Sequence, residues 1–495
     1  MKKVFFLFFA LALVFCKSEA ANPVLTIEGG QVQGVNADIK GVSVFRGIPY
    51  AAPPINNLRW KAPQSVVPWK GVKIADKFEH PGYQAVHYPG GYATEWGYGE
   101  ESPYSEDCLY LNVWTKAPGE VNKKLPVALW IHGGGYREGW GSEPEFDGQE
   151  WGNKDVVLVS INYRLGVFGF LTHPELSKES PNHVSGNYGI LDQIESLKWI
   201  KKNIAQFGGD PDNVTIFGQS AGAGSVKTLC ESPLCRGLFK KAVIMSGGGI
   251  TVAPPTPPAV APAAAPAGGM GMGGFGGPVT LEQSELQTKE IMDWAGLTTL
   301  EKMRAASTET IYTVGSLYTA VTGKRTRITG QPIVDGYVSL QSFDAAAVDN
   351  KLAQIPYMIG YTLNDMGNMS SGIAEFGLNR EKVGGKAYAY QFARPLPDDG
   401  SHPEVTQRLK GAFHSSDLWF VFKSLKHCWR PWAPGDWDLS EVMLTSWANF
   451  VKYGDPNGKS AGKWIPYTKE NPKFMVFKLD ASNKENSGMG DPIKP

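Results

Sequence analysis

The chain has 495 residues, with 48 Lys plus Arg against 48 Asp plus Glu and a formal net charge of zero. That balance, with no block of like charge longer than three residues, argues against nucleic acid or an anionic membrane surface as the main partner. The length suits one large α/β sheet carrying lids and insertions as well as it suits two domains.

At the N-terminus Lys2 and Lys3 precede the apolar run "VFFLFFALALVFC", and "KSEA" then supplies small residues at Ser18 and Ala20. This order predicts a signal peptide over 1–20, a mature chain starting at Ala21 and a secreted or periplasmic location. The run is short for a bilayer span, and Phe15 is unfavourable for lipoprotein processing at Cys16, so no stable membrane insertion is expected. Beyond it stand Cys108, Cys230, Cys235 and Cys428, too few for a disulfide scaffold and without C-x-x-C spacing. Cys230 and Cys235 in "LCESPLCRG" are either a close pair in an oxidising compartment or buried free thiols.

From Pro126 to Gly247 apolar runs alternate with one long helical pattern. "VALWIH" and "DVVLVSINY" read as strands covered on both faces. Ile190, Ile194, Leu197, Ile200 and Ile204 recur at steps of three and four, one face of a helix. "NVTIFG" and "KAVIMSG" follow as further strands. Strand, helix, strand, helix, strand implies a parallel sheet with right-handed crossovers. Residues 248–279 are almost entirely Pro, Ala, Gly and Met, a composition that continues neither sheet nor packed helix. They read as a flexible insertion within one domain over 21–495; a sharper alternative makes them an apolar lid using Met270, Met272 and Phe275.

"VTIFGQSAGAGS" contains G-x-S-x-G as Gly218, Gln219, Ser220, Ala221 and Gly222, placed after a strand and before a helix. A serine on such a sharp turn needs small neighbours, which Gly218 and Gly222 provide, and in that setting it is a candidate nucleophile. Upstream, the strand "LWIH" runs into Gly133, Gly134 and Gly135. Acyl transfer places negative charge on a carbonyl oxygen, and glycine N–H groups can face it without side-chain obstruction. Gly134, Gly135 and Ala221 are therefore the candidate oxyanion-hole donors.

With both motifs in place the chain resembles the type B carboxylesterases, the group of α/β-hydrolases that includes para-nitrobenzyl esterases, cholinesterases and bile-salt-activated lipase. The matching segments run along nearly the whole chain: "VFRGIPYAAPP" with "LRW", "SEDCLYLNVW", "HGGGY", "INYRLGVFGFL", "GNYGILDQ", "FGGDPDNVTIFGQSAG", "PIVDG" and "WANFVKYGDPNG". The resemblance implies an α/β-hydrolase fold, a large mostly parallel central sheet flanked by helices, and carboxylic-ester hydrolysis needing no metal or organic cofactor. It also implies a buried ion pair between Arg46 and Glu106. Some relatives have lost the catalytic residues and serve adhesion, whereas this chain keeps a candidate at each position.

The resemblance supplies the partners of Ser220. His414 in "GAFHSSDLWFVF" matches the family's catalytic-histidine segment, with Asp417 at its later acidic position. A histidine base needs a carboxylate to hold its tautomer. Counting five residues beyond Gly360 in "MIGYTLNDMGNM" lands on Asp365, where most relatives have glutamate. Met366 stands where a glycine usually follows the acid, and Asp365 to His414 is 49 residues (414 − 365), shorter than the family usually shows. A reduced cap and a more open site are expected.

Tyr83, Tyr88, Tyr92, Trp96, Tyr98 and Tyr104 form one aromatic cluster, and Trp419, Trp429, Trp432 and Trp437 a second. Aromatic platforms suit hydroxycinnamoyl rings and sugars, although core packing is the simpler reading of any single one. The expected substrate is a small-molecule or polysaccharide-linked ester, with feruloyl esters of plant cell walls as the narrower reading and short-chain esters as the alternative.

Overall fold

The computed structural model describes residues 22–98, 103–251, 280–324, 330–459 and 463–494. The predicted signal peptide and residues 252–279 of the insertion lie outside them. Strands in chain order are β1 (Val24–Ile27), β2 (Gly30–Gln33), β3 (Val35–Asn36), β4 (Ser43–Pro49), β5 (Val72–Ile74), β6 (Tyr110–Thr115) and β7 (Leu125–Ile131). They continue as β8 (Val157–Ile161), β9 (Gly209–Gln219), β10 (Lys241–Met245), β11 (Tyr357–Thr362), β12 (Ala387–Phe392), β13 (Phe474–Phe477) and β14 (Gly488–Gly490). A small sheet joins β1, β2 and β5, while the other strands form one 11-stranded sheet in the order β14-β13-β12-β11-β10-β9-β7-β8-β6-β4-β3.

From β8 through β13 neighbouring strands are parallel, and antiparallel β6, β4, β3 and β14 close the two sides. The strands before and after residues 252–279 share this sheet, because β10 pairs with β11 from Ala242↔Tyr357 to Met245↔Gly360. The apolar runs read as doubly covered strands are so: Val127, Leu129 and Ile131 of β7 enter one core cluster, and Ala128 and Trp130 enter the other. Burying both faces at about 1.5–3 kcal/mol per large apolar side chain is what suits a run without polar alternation to a central strand.

The predicted helix spans Tyr188–Asn203 and buries Ile190, Ile194, Leu197 and Ile200, with Ile204 just past its end. Gly208, at φ 75°, then turns the chain into β9. The helices Leu281–Trp294, Leu300–Ala305 and Thr308–Thr322 bury Ile291, Met292, Met303, Ile311, Val314 and Tyr318 against Phe168 and Leu171, outside the sheet's two clusters. Between Asp365 and His414 lie only the helix Ser370–Lys382, β12 and the short helix Pro403–Thr406. No helix among the described residues is long and apolar enough to cross a membrane.

One expectation changes, and one open alternative is decided. Glu106 pairs with Arg59 of "LRW" and not with Arg46: Arg59 Nε and Nη2 donate to its two oxygens at 2.7 and 2.5 Å. Arg46 lies on β4, and its Nη1 donates to Asp76 O at 3.2 Å. The third nitrogen of Arg59 donates to the carbonyls of Met303 and Ala306 at 3.1 and 2.8 Å, and Thr308 Oγ1 donates to Glu106 at 2.6 Å. One buried ion pair thereby fastens the outer helices to the body. Cys230 and Cys235, the possible disulfide, are both buried free thiols.

Removing one member of a buried, fully bonded pair strands its partner's charge. Arg59→Met should lower unfolding stability by about 3–5 kcal/mol in a denaturant titration, and the double variant Arg59→Met/Glu106→Leu should recover part of that loss. A single variant as stable as the wild type would contradict this role.

Candidate active site

Ser220 sits between β9 and the helix Ala221–Glu231, with φ 57° and ψ −121°. A side chain holds that backbone conformation only where its surroundings enforce it. Here the enforcement is close contact permitted by glycine. A Cβ on Gly222 would lie 2.1 Å from Ile131 O at the end of β7, and one on Gly218 would lie 2.6 Å from the Gly222 backbone. The Ser220 N–H donates to Met245 O of β10 at 2.9 Å, fixing the turn from the other side.

The glycine run passes beside the serine, since a Cβ on Gly133 would approach Ser220 Cβ to 3.2 Å. Gly134 and Gly135 have φ of 84° and 62°. The Gly134 carbonyl accepts from the N–H groups of Arg137 and Glu138 at 3.0 and 3.1 Å, while among the described residues the Gly134 and Gly135 amides donate to no backbone group. The Ala221 N–H opens a helix and has no intrahelical acceptor. The three predicted donors thus occupy the two turns that flank Ser220. His132, which leads the run, is packed on the Tyr163 ring at 4.4 Å, and burial pushes its imidazole down to about 3, so it stays neutral.

Asp365 and His414 meet across 49 residues of sequence: Asp365 Oδ1 is 2.6 Å from His414 Nδ1. The carboxylate also accepts from the Met366 N–H at 2.8 Å, and from the Thr362 N–H and hydroxyl at 3.2 and 3.1 Å. Burial by itself would raise the Asp365 pKa, but the hydrogen bond and charge of His414 outweigh it and hold the carboxyl below its ordinary value. An ionised carboxylate only accepts, so His414 Nδ1 donates to it, and in the neutral imidazole Nε2 is then the basic nitrogen.

Asn364 sets this meeting. Its N–H donates to Ala412 O at 2.9 Å and its side-chain oxygen accepts from the Ala412 N–H at 3.0 Å, making an isolated bridge to the strand-like segment before His414. From the opposite side Tyr92 donates its hydroxyl to His414 O at 2.9 Å. The sequence reading counted Tyr92 only in an aromatic cluster and gave no role to Asn364 or to Gln219, whose Nε2 is 3.1 Å from His414 Nε2. No hydrogen bond joins Ser220 Oγ to His414 among the described residues. Asn364 was legible only as the neighbour of the acid, and Gln219 only as the variable position of G-x-S-x-G.

Most of the aromatic clusters are engaged in packing. Trp96 and Trp419 are buried against each other at 5.2 Å, and Trp419 Nε1 donates to Glu95, itself held by Arg430. Tyr83 packs on Phe168 and Tyr312, and Tyr98 on Trp140. Tyr88 and Trp437 are exposed.

Asp417 is fully buried beside this site, accepting one hydrogen bond from Tyr390 Oη at 3.1 Å with its other oxygen unpartnered. Burial pushes its carboxyl up to about 7; the Tyr390 hydroxyl opposes this and the Asp365 charge adds to it. A carboxyl that binds its proton more tightly when folded makes stability fall as pH rises from about 4 to about 7. Asp417→Asn should remove a few kcal/mol, roughly, of that decline, read from denaturant unfolding at pH 5 and pH 8. Identical pH dependence in the two proteins would rule out this assignment.

The carboxylesterase family model matches residues 21–377 and 367–490. The chain is 29% identical to the para-nitrobenzyl esterase of Bacillus subtilis over 504 aligned residues, 92% of this chain and 95% of that one. It is 45% identical to the fumonisin B1 esterase of Sphingopyxis macrogoltabida over 222 residues, a match spanning 45% of this chain and only 39% of that enzyme. Among solved structures a Geobacillus stearothermophilus carboxylesterase superposes with a TM-score of 0.72 at 28% identity, covering 94% of this chain and 97% of that one. With the family model spanning both sides of the sheet, the α/β-hydrolase architecture described above and the Bacillus and Geobacillus enzymes aligned over nearly their full length, the chain belongs to the carboxylesterase family.

Proposed function

We propose that this carboxylesterase is an exported serine hydrolase working through Ser220, His414 and Asp365. The observation that carries the reading is the 2.6 Å contact of Asp365 with His414, set beside a serine held at positive φ between two glycine-built turns. In this reading His414 Nε2 removes the Ser220 proton and the alkoxide attacks an ester carbonyl. The N–H groups of Gly134, Gly135 and Ala221 receive the oxyanion. Collapse expels the alcohol, protonated by His414, and leaves an acyl-enzyme. Water activated by the same histidine then releases the acid and restores the serine. Asp365, kept ionised, holds the tautomer and stabilises the imidazolium in each half-reaction.

The family supports small-molecule esters as substrates. The narrower reading, feruloyl esters, draws its support from the aromatic clusters of the sequence, one member of which, Tyr92, borders His414 and packs on Phe413 at 6.1 Å. Fumonisin B1 also belongs in a substrate panel because of the relative named for it. The panel should run from 4-nitrophenyl acetate through methyl ferulate and feruloylated arabinoxylan to fumonisin B1. Turnover confined to short aliphatic esters would remove the feruloyl reading. Sequencing the exported protein should give Ala21 as its first residue.

Ser220→Ala should lose up to about a million-fold in kcat and all labelling by an organophosphonate, and Asp365→Asn roughly ten-thousand-fold in kcat. Near-normal turnover by Ser220→Ala would sink the mechanism.

A further inference from the structure

Gln219 is one residue from the serine and 3% exposed, and its side chain points at the base rather than into the core. An amide nitrogen only donates, and with Nδ1 protonated toward Asp365 the sole lone pair of the imidazole is on Nε2. The 3.1 Å contact is therefore a hydrogen bond from the Gln219 amide to the nitrogen that must receive the serine proton. Ser220 Oγ is not engaged with that nitrogen, although it is attached to the next residue. Both ring nitrogens are thus bonded, one to Asp365 and one to Gln219, and this fixes the tautomer and the plane of the ring.

We propose that Gln219 is a positioning residue acting through His414: its amide holds the ring as the unprotonated-Nε2 base and yields that nitrogen to Ser220 when substrate arrives. The inference rests on the triad reading given above. The exchange replaces one N–H···N hydrogen bond by one O–H···N bond and moves no proton. As the Oγ–acyl bond forms, the serine proton passes to Nε2, and the Gln219 amide N–H, displaced but still next to that nitrogen, can only donate and so cannot accept from it. The imidazolium gains no stabilising anion from this side, and the cation is disfavoured. The proton is driven on to the departing alkoxide as the carbon–oxygen bond breaks. A carboxylate at this position would act the opposite way and retain the proton.

The other groups facing His414 are few. Asp365 comes from the end of β11. Asp417, bonded to Tyr390 of β12, lies three residues further along the histidine's own segment, and Tyr92 bonds the His414 carbonyl with Glu95 close behind it. Gln219 is the contact from β9 and carries no charge, so changing it to glutamate adds a charge directly against Nε2.

The test uses the full chain and 4-nitrophenyl acetate, with kcat/KM measured from pH 5 to pH 9 for wild type, Gln219→Glu and Gln219→Met. The Gln219→Glu acid limb should move up by about 1 pH unit or more, making activity at low pH fall roughly tenfold further than in the wild type. Gln219→Met, which keeps length but cannot donate, should lower kcat several-fold with KM little changed. Overlapping pH profiles for wild type and Gln219→Glu, or an unchanged kcat in Gln219→Met, would overturn the proposal. Should the variants not fold, nitrogen-15 histidine spectra of the wild type decide, with His414 assigned by its loss in His414→Gln. A bare Nε2 and a protonated Nδ1 are expected, and a protonated Nε2 in the resting enzyme at neutral pH would refute the bond. Phosphonate labelling separates this failure from the other. A wild type that does not react sinks the triad reading and this proposal together, whereas a reactive wild type with overlapping profiles sinks only the role of Gln219.

Discussion

The turn after β9 lies so close to the end of β7 that there is no room for a side chain at either glycine of G-x-S-x-G. With the Gly222 position 2.1 Å, Cβ to oxygen, from Ile131 O, any larger residue would push the helix Ala221–Glu231 off the sheet. That one contact sets three things together. It imposes positive φ on Ser220, it carries the glycine run after His132 past the serine, and it places a helix N-terminus next to both. Parallel pairing of β7 with β9 makes it possible, because parallel strands end on the same side and their following loops must meet there.

The candidate acid and base, Asp365 and His414, reach this place by a different route. Neither belongs to a tight local motif: Asp365 leaves β11 in a short turn and His414 lies in a loop. What joins them is Asn364, which bonds the backbone at Ala412 from both its main chain and its side chain. A short aspartate suffices because the bridge brings the two backbones together before the side chains are considered. The carboxylate is then held by four donors including His414, which keeps it ionised despite burial.

Three other buried arginines each hold a carboxylate through more than one hydrogen bond. Arg164 grips Asp192 with two nitrogens at 2.8 and 2.7 Å, Arg430 grips Glu95, and Arg59 grips Glu106. The resemblance pointed to Arg46 as the partner of Glu106 because both belong to matching segments. Motif membership says nothing about which way a strand residue faces, and Arg46 is directed to Asp76 and the ring of Phe78 instead. The same limit applies to the aromatic clusters, where packing on neighbouring rings occupies most members, a fact invisible in their spacing.

Periodicity in the sequence determined the central strands and the helix over Tyr188–Asn203, since burial on one face or two leaves a pattern every few residues. Local chemistry determined Ser220 and the glycine run, because strain and close approach demand glycine at fixed offsets. Family resemblance was needed for Asp365 and His414, whose contact spans 49 residues and leaves no local trace. Only the tertiary structure decided that Arg59 rather than Arg46 meets Glu106, that Asn364 joins the Asp365 turn to the segment before His414, and that the Gln219 amide sits on His414 Nε2. Each of those is a side-chain direction set by packing between distant segments, and a linear sequence specifies such directions only through the fold.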